Sequence, residues 1–530
     1  MNYKSRILFI SFLLLLIGST AVKAQLFNEQ SLKIFKLFNW IDSYYVDSVN
    51  LDKISEEVMR NMLQKMDPHS AYISKEEVAE MNEPLQGNFE GIGVTFNILN
   101  DTILIVSPIV GGPSEKLGIR AGDRIILIDN VNVTGKDISN KKVFSKLRGK
   151  KGTTVKVDIK RHELNQLIPF SIVRDKIPLQ SVDASYKINS TTGYIRLSRF
   201  SSTSNAEIDR VLTKFKNEKI KNVILDLCGN GGGYLDVAVD LADDFLDANK
   251  MIVYTKGNHS EKKEYISTSK GLFEKGKLVL MIDEGSASAS EILAGAIQDW
   301  DRGIIVGRRS FGKGLVQRPF TFPDGAMVRL TVARYYTPSG RLIQKPYNES
   351  YESYSDELSS RYRSGELLDK KKIIHPDSVK YFTLINKRVV YGGGGITPDV
   401  FVPLDTTAYT TYSRKLISGA VLNSFTLEYT DKSREFLLRK YADFTIFKSR
   451  YLTDDNLVSE LVKFAEKQSI TCSEAELSQS KPQIALLLKA YIARDLWGLS
   501  EFFEIYNSSN PGYVKAVEVI NNWENYLEKK

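Results

Sequence analysis

Cysteine and histidine are scarce in this 530-residue chain, and their scarcity narrows its chemistry. Only Cys228 and Cys472 are present, enough for one disulfide but not for a disulfide framework. The four histidines, His69, His162, His259 and His375, lie far apart without metal-ligand spacing, so no metal and no cofactor are expected. Long apolar runs are missing too. Beyond the first two dozen residues, no window is long and apolar enough to span a membrane. Lys and Arg are dispersed, with no run of five. The net charge of +8 and pI near 9.0 therefore read as a solvated, mildly basic surface, and no nucleic-acid partner is expected.

What is present is an ordinary globular balance, 42% hydrophobic and 26% charged, in a chain too long for one core, so three or four domains are expected. The first 24 residues read as a signal peptide. Lys4 and Arg6 precede an apolar run from Ile7 to Val22, and Val22-Lys23-Ala24 offers small residues where a signal peptidase inspects the chain. Cleavage after Ala24 removes three bases and no acid, lowering the charge from +8 to +5. Export to the periplasm or cell envelope follows, with membrane attachment only if the segment stays uncleaved.

Further along, Leu32, Phe35, Leu37, Phe38 and Ile41, and then Leu51 to Met66, recur at helical spacing. From Gly87 to Arg174 the texture shifts to short strands, with Asn100-Asp101 and Asp129-Asn130 as turns and short helices at Pro113–Leu117 and Asn140–Leu147. Residues 180–345 alternate strand and helix. Val223–Leu227, Leu278–Ile282 and Ile304–Val306 are buried-type strands, which argues an α/β layer with a mainly parallel sheet. The polar, tyrosine-rich stretch at about 346–391 reads as an insertion or surface loop, and residues 406–530 as helical without a chemical motif.

Two segments carry chemistry. Asp283 to Glu291 joins a buried strand to an amphipathic helix and holds Ser286, Ser288 and Ser290. A serine at a helix start sits beside unpaired amides that can hold an oxyanion. Ser288 with Glu291 three positions on also fits a plain capping box. A serine nucleophile needs a base. No histidine lies nearby, but Arg308 to Gly314 places Lys313 between two glycines, with Phe311, Leu315 and Val316 as an apolar setting that lowers its pKa. A solvated loop lysine is the alternative. Gly307, Gly312 and Lys313 nearly form a phosphate-binding loop, but Gly314 stands where Ser or Thr must bind magnesium. Gly229 to Gly233 follows a strand and opens a helix, an amide-rich anion cradle.

Together these motifs resemble the carboxy-terminal processing (tail-specific) proteases, the S41 serine peptidases. Ser286-Ala287-Ser288-Ala289-Ser290-Glu291 resembles the nucleophile motif, and Phe311 to Gln317 the lysine motif. The family places serine and lysine 25 positions apart, the separation of Ser288 from Lys313, and its positioning glutamine falls on Gln317. Met66 to Ser70 resembles an amino-terminal signature. Phe89 to Val94 resembles the carboxylate-binding loop of a PDZ domain, with Ala121-Gly122-Asp123 as a later PDZ turn. Tyr336 to Gly340 and Gly395 to Asp399 mark the end of the core. One departure stands out: Cys228 follows Asp226-Leu227 where the family has arginine, so any ion pair made from that position is missing.

The resemblance implies a signal peptide (1–24), a helical amino-terminal region (25–86), a PDZ domain (87–174), an α/β protease core (175–405) and a helical extension (406–530). It implies Ser288, Lys313 and Gln317 as catalytic residues, and an oxyanion hole from the amides of Ala289 and of Gly232 or Gly233. It also implies a substrate-tail loop at Gly91, Ile92, Gly93 and Val94. The partners implied are protein substrates held by their carboxy termini; a homo-oligomer or an adaptor protein is compatible with the sequence. The rival is a non-catalytic PDZ-containing binding protein on an inactive core.

Overall fold

The computed structural model describes residues 28–161, 164–347, 351–375, 380–407 and 410–527. The expected signal peptide and His162 lie outside them. The chain divides into two compact units, Met1–Met66 and Asp67–Lys530. In the first, helices Glu29–Tyr44 and Leu51–Gln64 start at asparagine caps, Asn28 and Asn50, whose side chains accept from Ser31 N–H and Lys53 N–H.

The second unit contains the β-rich module, the core and the tail. In the module, five strands pair in the order Val94–Leu99, Thr102–Pro108, Arg124–Ile128, Thr154–Lys160 and Ile168–Val173. Both expected turns are two-residue hairpin loops with positive φ at each position: 48° and 55° at Asn100 and Asp101, 48° and 65° at Asp129 and Asn130. Asn and Asp tolerate this region, and it matches the strand twist. The entering strand Asn88–Gly91 and the leaving strand Asp175–Pro178 pair antiparallel, so the module hangs from the core on a two-stranded stem.

The core is built on two sheets. The first has six strands in the order Val182–Lys187, Thr192–Leu197, Asn222–Asp226, Lys277–Ile282, Ile304–Gly307 and Val400–Phe401. The first pairing is antiparallel and the other four are parallel. Alternate side chains face opposite ways. Ile195, Leu225 and Leu280 pack on Leu241, Leu293 and Ile297 of helices Leu235–Asp243 and Ala289–Asp299. Tyr194, Ile224, Val279 and Met281 pack on Ala516, Val519 and Ile520 of helix Pro511–Asn521. A sheet covered on both faces explains why its strands read as continuous apolar runs. The second sheet, not foreseen, is wholly antiparallel: Ala71–Ile73, Met327–Tyr336, Met251–Gly257 and Ser260–Ile266 in order, with Leu315–Thr321 also on Met327–Tyr336. Its first strand, directly after the turn expected at Met66-Asp67-Pro68-His69-Ser70, falls within the region expected to be helical.

The region expected to be a surface loop is partly core. Helix Tyr351–Ser364 buries Tyr354 and Arg361. Arg309 and Arg361 both donate to the buried Glu366 carboxylate, at 2.8 and 2.9 Å, and Arg361 also donates to the Arg309 carbonyl at 2.6 Å. Helix Val421–Lys440 of the tail meets the β-rich module: Asp431 pairs with Arg124 at 2.5 Å, and Leu427 packs on Leu99 and Leu104.

Candidate active site

Three loops at the carboxyl ends of the parallel strands converge: Cys228–Gly233, Asp283–Ser288 and Arg308–Gly314. This is where α/β sheets place ligands. Asn230 joins the first two. Its carbonyl accepts from Ala287 N–H at 3.0 Å and Ser290 Oγ at 2.9 Å, and its side-chain oxygen accepts from Gly232 N–H at 2.9 Å. Ser286 Oγ donates to the Leu227 carbonyl at 2.8 Å. Ser286 and Ser290 are thus buried with their hydroxyls spent on carbonyls. Ser288 alone of the three lines a cleft of about 520 Å³, shared with Gly232, Gly233, Ala289, Lys313, Gln317, Arg329 and Tyr335.

Ser288 has φ 56° and ψ −112°, outside the regions an L-residue populates freely. Ser288 and Glu291 form the expected capping box, in which Glu291 accepts from Ser288 N–H at 2.8 Å. The same carboxylate accepts from Ser310 Oγ at 2.5 Å, Gly312 N–H at 2.7 Å and Lys313 N–H at 2.9 Å. Burial holds this carboxyl's pKa above its ordinary value, a rise that the four donors only partly offset. Tyr335 Oη bridges the carbonyls of Ser288, at 3.1 Å, and Lys313. Serine and lysine loops are therefore fixed together through Glu291 on their amides and Tyr335 on their carbonyls.

Lys313 Nζ donates to Gln317 Oε1 at 3.1 Å, and Gln317 Nε2 donates to the His69 carbonyl. Burial first, and then the Arg329 charge, lower the Lys313 pKa to about 8, against the smaller upward pull of Glu291 and Asp67. The solvated-lysine alternative does not hold. His69 is itself fixed: Asp67 accepts from its N–H at 2.8 Å, and its Nε2 meets the Tyr354 hydroxyl at 2.7 Å. Burial lowers its pKa to about 3, so it is neutral near pH 7. Sequence reasoning took Glu291 only as a helix cap and attached no task to His69, Tyr354, Tyr335 or Arg329.

A Cβ on Gly232 would lie 2.8 Å from Ser288 Cβ and 2.9 Å from the Ala289 nitrogen, so only glycine fits against Ser288. Where arginine is missing at Cys228, Arg196 from the neighbouring strand pairs with Asp226 at 2.7 Å and donates to the Cys228 carbonyl at 2.9 Å. The ion pair is made from another element. In the β-rich module, Ile92 is buried, Gly93 has φ 76°, and both lead into Val94–Leu99, the edge strand of its sheet.

The family model for Peptidase family S41 matches residues 191–349, that for the PDZ domain residues 91–169, and one for a family of unknown function (DUF8443) residues 412–498. A peptidase core joined to a PDZ domain is the class these matches define. The chain is 33% identical over 360 residues to a carboxy-terminal-processing protease of Bartonella bacilliformis, covering 65% of this chain and 82% of the relative. It is 35% identical over 317 residues to the carboxy-terminal processing protease CtpB of Bacillus subtilis, covering 59% and 65%. A solved photosystem II D1 C-terminal processing protease aligns with a TM-score of 0.36 at 26% identity, covering 70% of this chain and 86% of that one. The chain belongs to the S41 peptidase family of carboxy-terminal-processing proteases.

Proposed function

We propose that this protein is an exported serine endopeptidase with a Ser288–Lys313 dyad that cleaves proteins at or from their carboxy-terminal region. The observation that carries the reading is the shared cleft: one serine at a strained helix start and one lysine with a pKa near 8 line the same space. Neutral Lys313 takes the Ser288 hydroxyl proton as Oγ attacks the peptide carbonyl. The oxyanion is held by the Ala289 amide at the helix start and a glycine amide. Because Gly232 N–H is already given to Asn230, the reading favours Gly233. The Lys313 ammonium returns its proton to the leaving amine. Lys313 then deprotonates the water that hydrolyses the acyl-enzyme. Gln317, anchored on the His69 carbonyl, holds the lysine in place.

The PDZ domain would take the substrate's carboxy terminus at Gly91, Ile92, Gly93 and Val94 and add it as a strand beside Val94–Leu99, whose outer edge is unpaired within its sheet. The test is degradation of an unstructured protein by wild type, Ser288→Ala and Lys313→Ala. Loss in both folded variants is expected. Undiminished degradation by both sinks the dyad, and an inert wild type leaves the binding-module reading.

A further inference from the structure

Arg329 stands apart from the core arginines that are held by carboxylates or, like Arg302, by three backbone carbonyls. Arg196, Arg308, Arg309, Arg341, Arg361 and Arg388 each pair with a carboxylate within 2.9 Å. Arg329 makes no ion pair among the described residues. The contact of its guanidinium is Nη1 to the Met81 thioether, a weak acceptor, at 3.6 Å. Its Nε is buried with no hydrogen-bond partner. Burial lowers its pKa, and no nearby acid offsets that. An uncompensated, partly buried cation is costly to keep.

Its place explains what it is for. Arg329 lies mid-strand in Met327–Tyr336, opposite Ala71 on one side and Pro319 on the other, and lines the same cleft as Ser288 and Lys313. No Asp or Glu lines that cleft. The wall facing a bound chain therefore presents two basic groups and no acid. A guanidinium fork is the side chain best shaped to take a carboxylate through two parallel hydrogen bonds.

We propose that Arg329 is a specificity residue that pairs with a carboxylate of the substrate segment lying in the cleft. The inference rests on the peptidase reading above. The carboxylate has two possible sources, an Asp or Glu side chain near the scissile bond or the terminal carboxylate of the chain being trimmed. Arg329 also helps keep Lys313 neutral, so the test must separate recognition from that electrostatic effect.

Denatured casein is digested by the full-length protein, and the cut sites are mapped by mass spectrometry. Cleaved segments are then resynthesised with single Asp→Asn or Glu→Gln changes, and with free or amidated carboxy termini. For wild type, removing one particular carboxylate is expected to lower kcat/KM by about 10- to 100-fold, the size of one charge-assisted hydrogen bond. Which change does so names the source. In Arg329→Gln that preference is expected to fall to within about 3-fold of unity, with partial recovery in Arg329→Lys. Equal wild-type rates for acid and amide forms would overturn the inference. So would an Arg329→Gln enzyme that slows on all peptides alike, shifts its pH profile upward and keeps the acid preference. Casein left intact by wild type defeats the peptidase reading and this inference with it.

Discussion

At the scale of single residues, the site is paid for at Ser288. A backbone at φ 56° and ψ −112° costs on the order of 1–3 kcal/mol, and it persists because Ala287, Ser290 and Glu291 are all tied to neighbouring loops. Ser288→Gly is therefore expected to abolish activity while raising stability by about 1 kcal/mol in chemical denaturation. Glu291 ties the Ser288 loop to the Lys313 loop through both backbone amides. In Glu291→Gln one carboxylate oxygen becomes an NH2 group facing two former donors, at least one of them an N–H. A fall in kcat of about 100-fold with little change in KM is expected from steady-state kinetics, the penalty of a misplaced catalytic pair. Glu291 was legible in the sequence only as a helix cap, because three of its four donors come from a loop some twenty positions later. Arg196 was invisible for the same reason: it reaches Asp226 from the next strand, a relation set by sheet pairing rather than by spacing.

At the scale of elements, local chemistry was readable and long-range pairing was not. The hairpins at Asn100-Asp101 and Asp129-Asn130 are decided by residues that accept positive φ, and they stand where the sequence puts them. The strand Ala71–Ile73 exists only because Met327–Arg329 lies beside it, and three residues carry no periodicity of their own. Helix Tyr351–Ser364 has a polar sequence that reads as solvent-facing. Its Arg361 is buried because Glu366 and the Arg309 carbonyl meet it. That cluster backs the lysine loop, since Arg361 also donates to the Ser310 carbonyl. Glu366→Ala leaves two buried guanidinium groups without their shared acceptor, and a loss of about 3–5 kcal/mol in stability is expected from urea unfolding. The Glu366→Gln change should lose less, because one acceptor oxygen remains.

At the scale of the whole molecule, the tail completes the core. Ala516, Val519 and Ile520 cover Tyr194, Ile224, Val279 and Met281, all fully or nearly fully buried. A parallel sheet bared on one face is an aggregation surface. Ending the chain after residue 407 is therefore expected to yield insoluble protein, checked by soluble expression and size-exclusion chromatography. A soluble, active truncation would show that the sheet needs no cover. The tail also touches the PDZ module through Asp431–Arg124 and Leu427, so the PDZ module and the core share one support.

The central claim is that three converging loops make Ser288 a nucleophile whose proton goes to Lys313. It is tested most directly by labelling the full-length protein with a serine-reactive phosphonate across pH 6–10 and mapping the adduct by mass spectrometry. One adduct at Ser288 is predicted. Its rate should rise with pH as Lys313 loses its proton, with a midpoint near the lysine pKa of about 8, and labelling should be lost in Lys313→Ala. An adduct on another residue, or labelling of Ser288 at the same rate and with the same pH profile in Lys313→Ala, would contradict it.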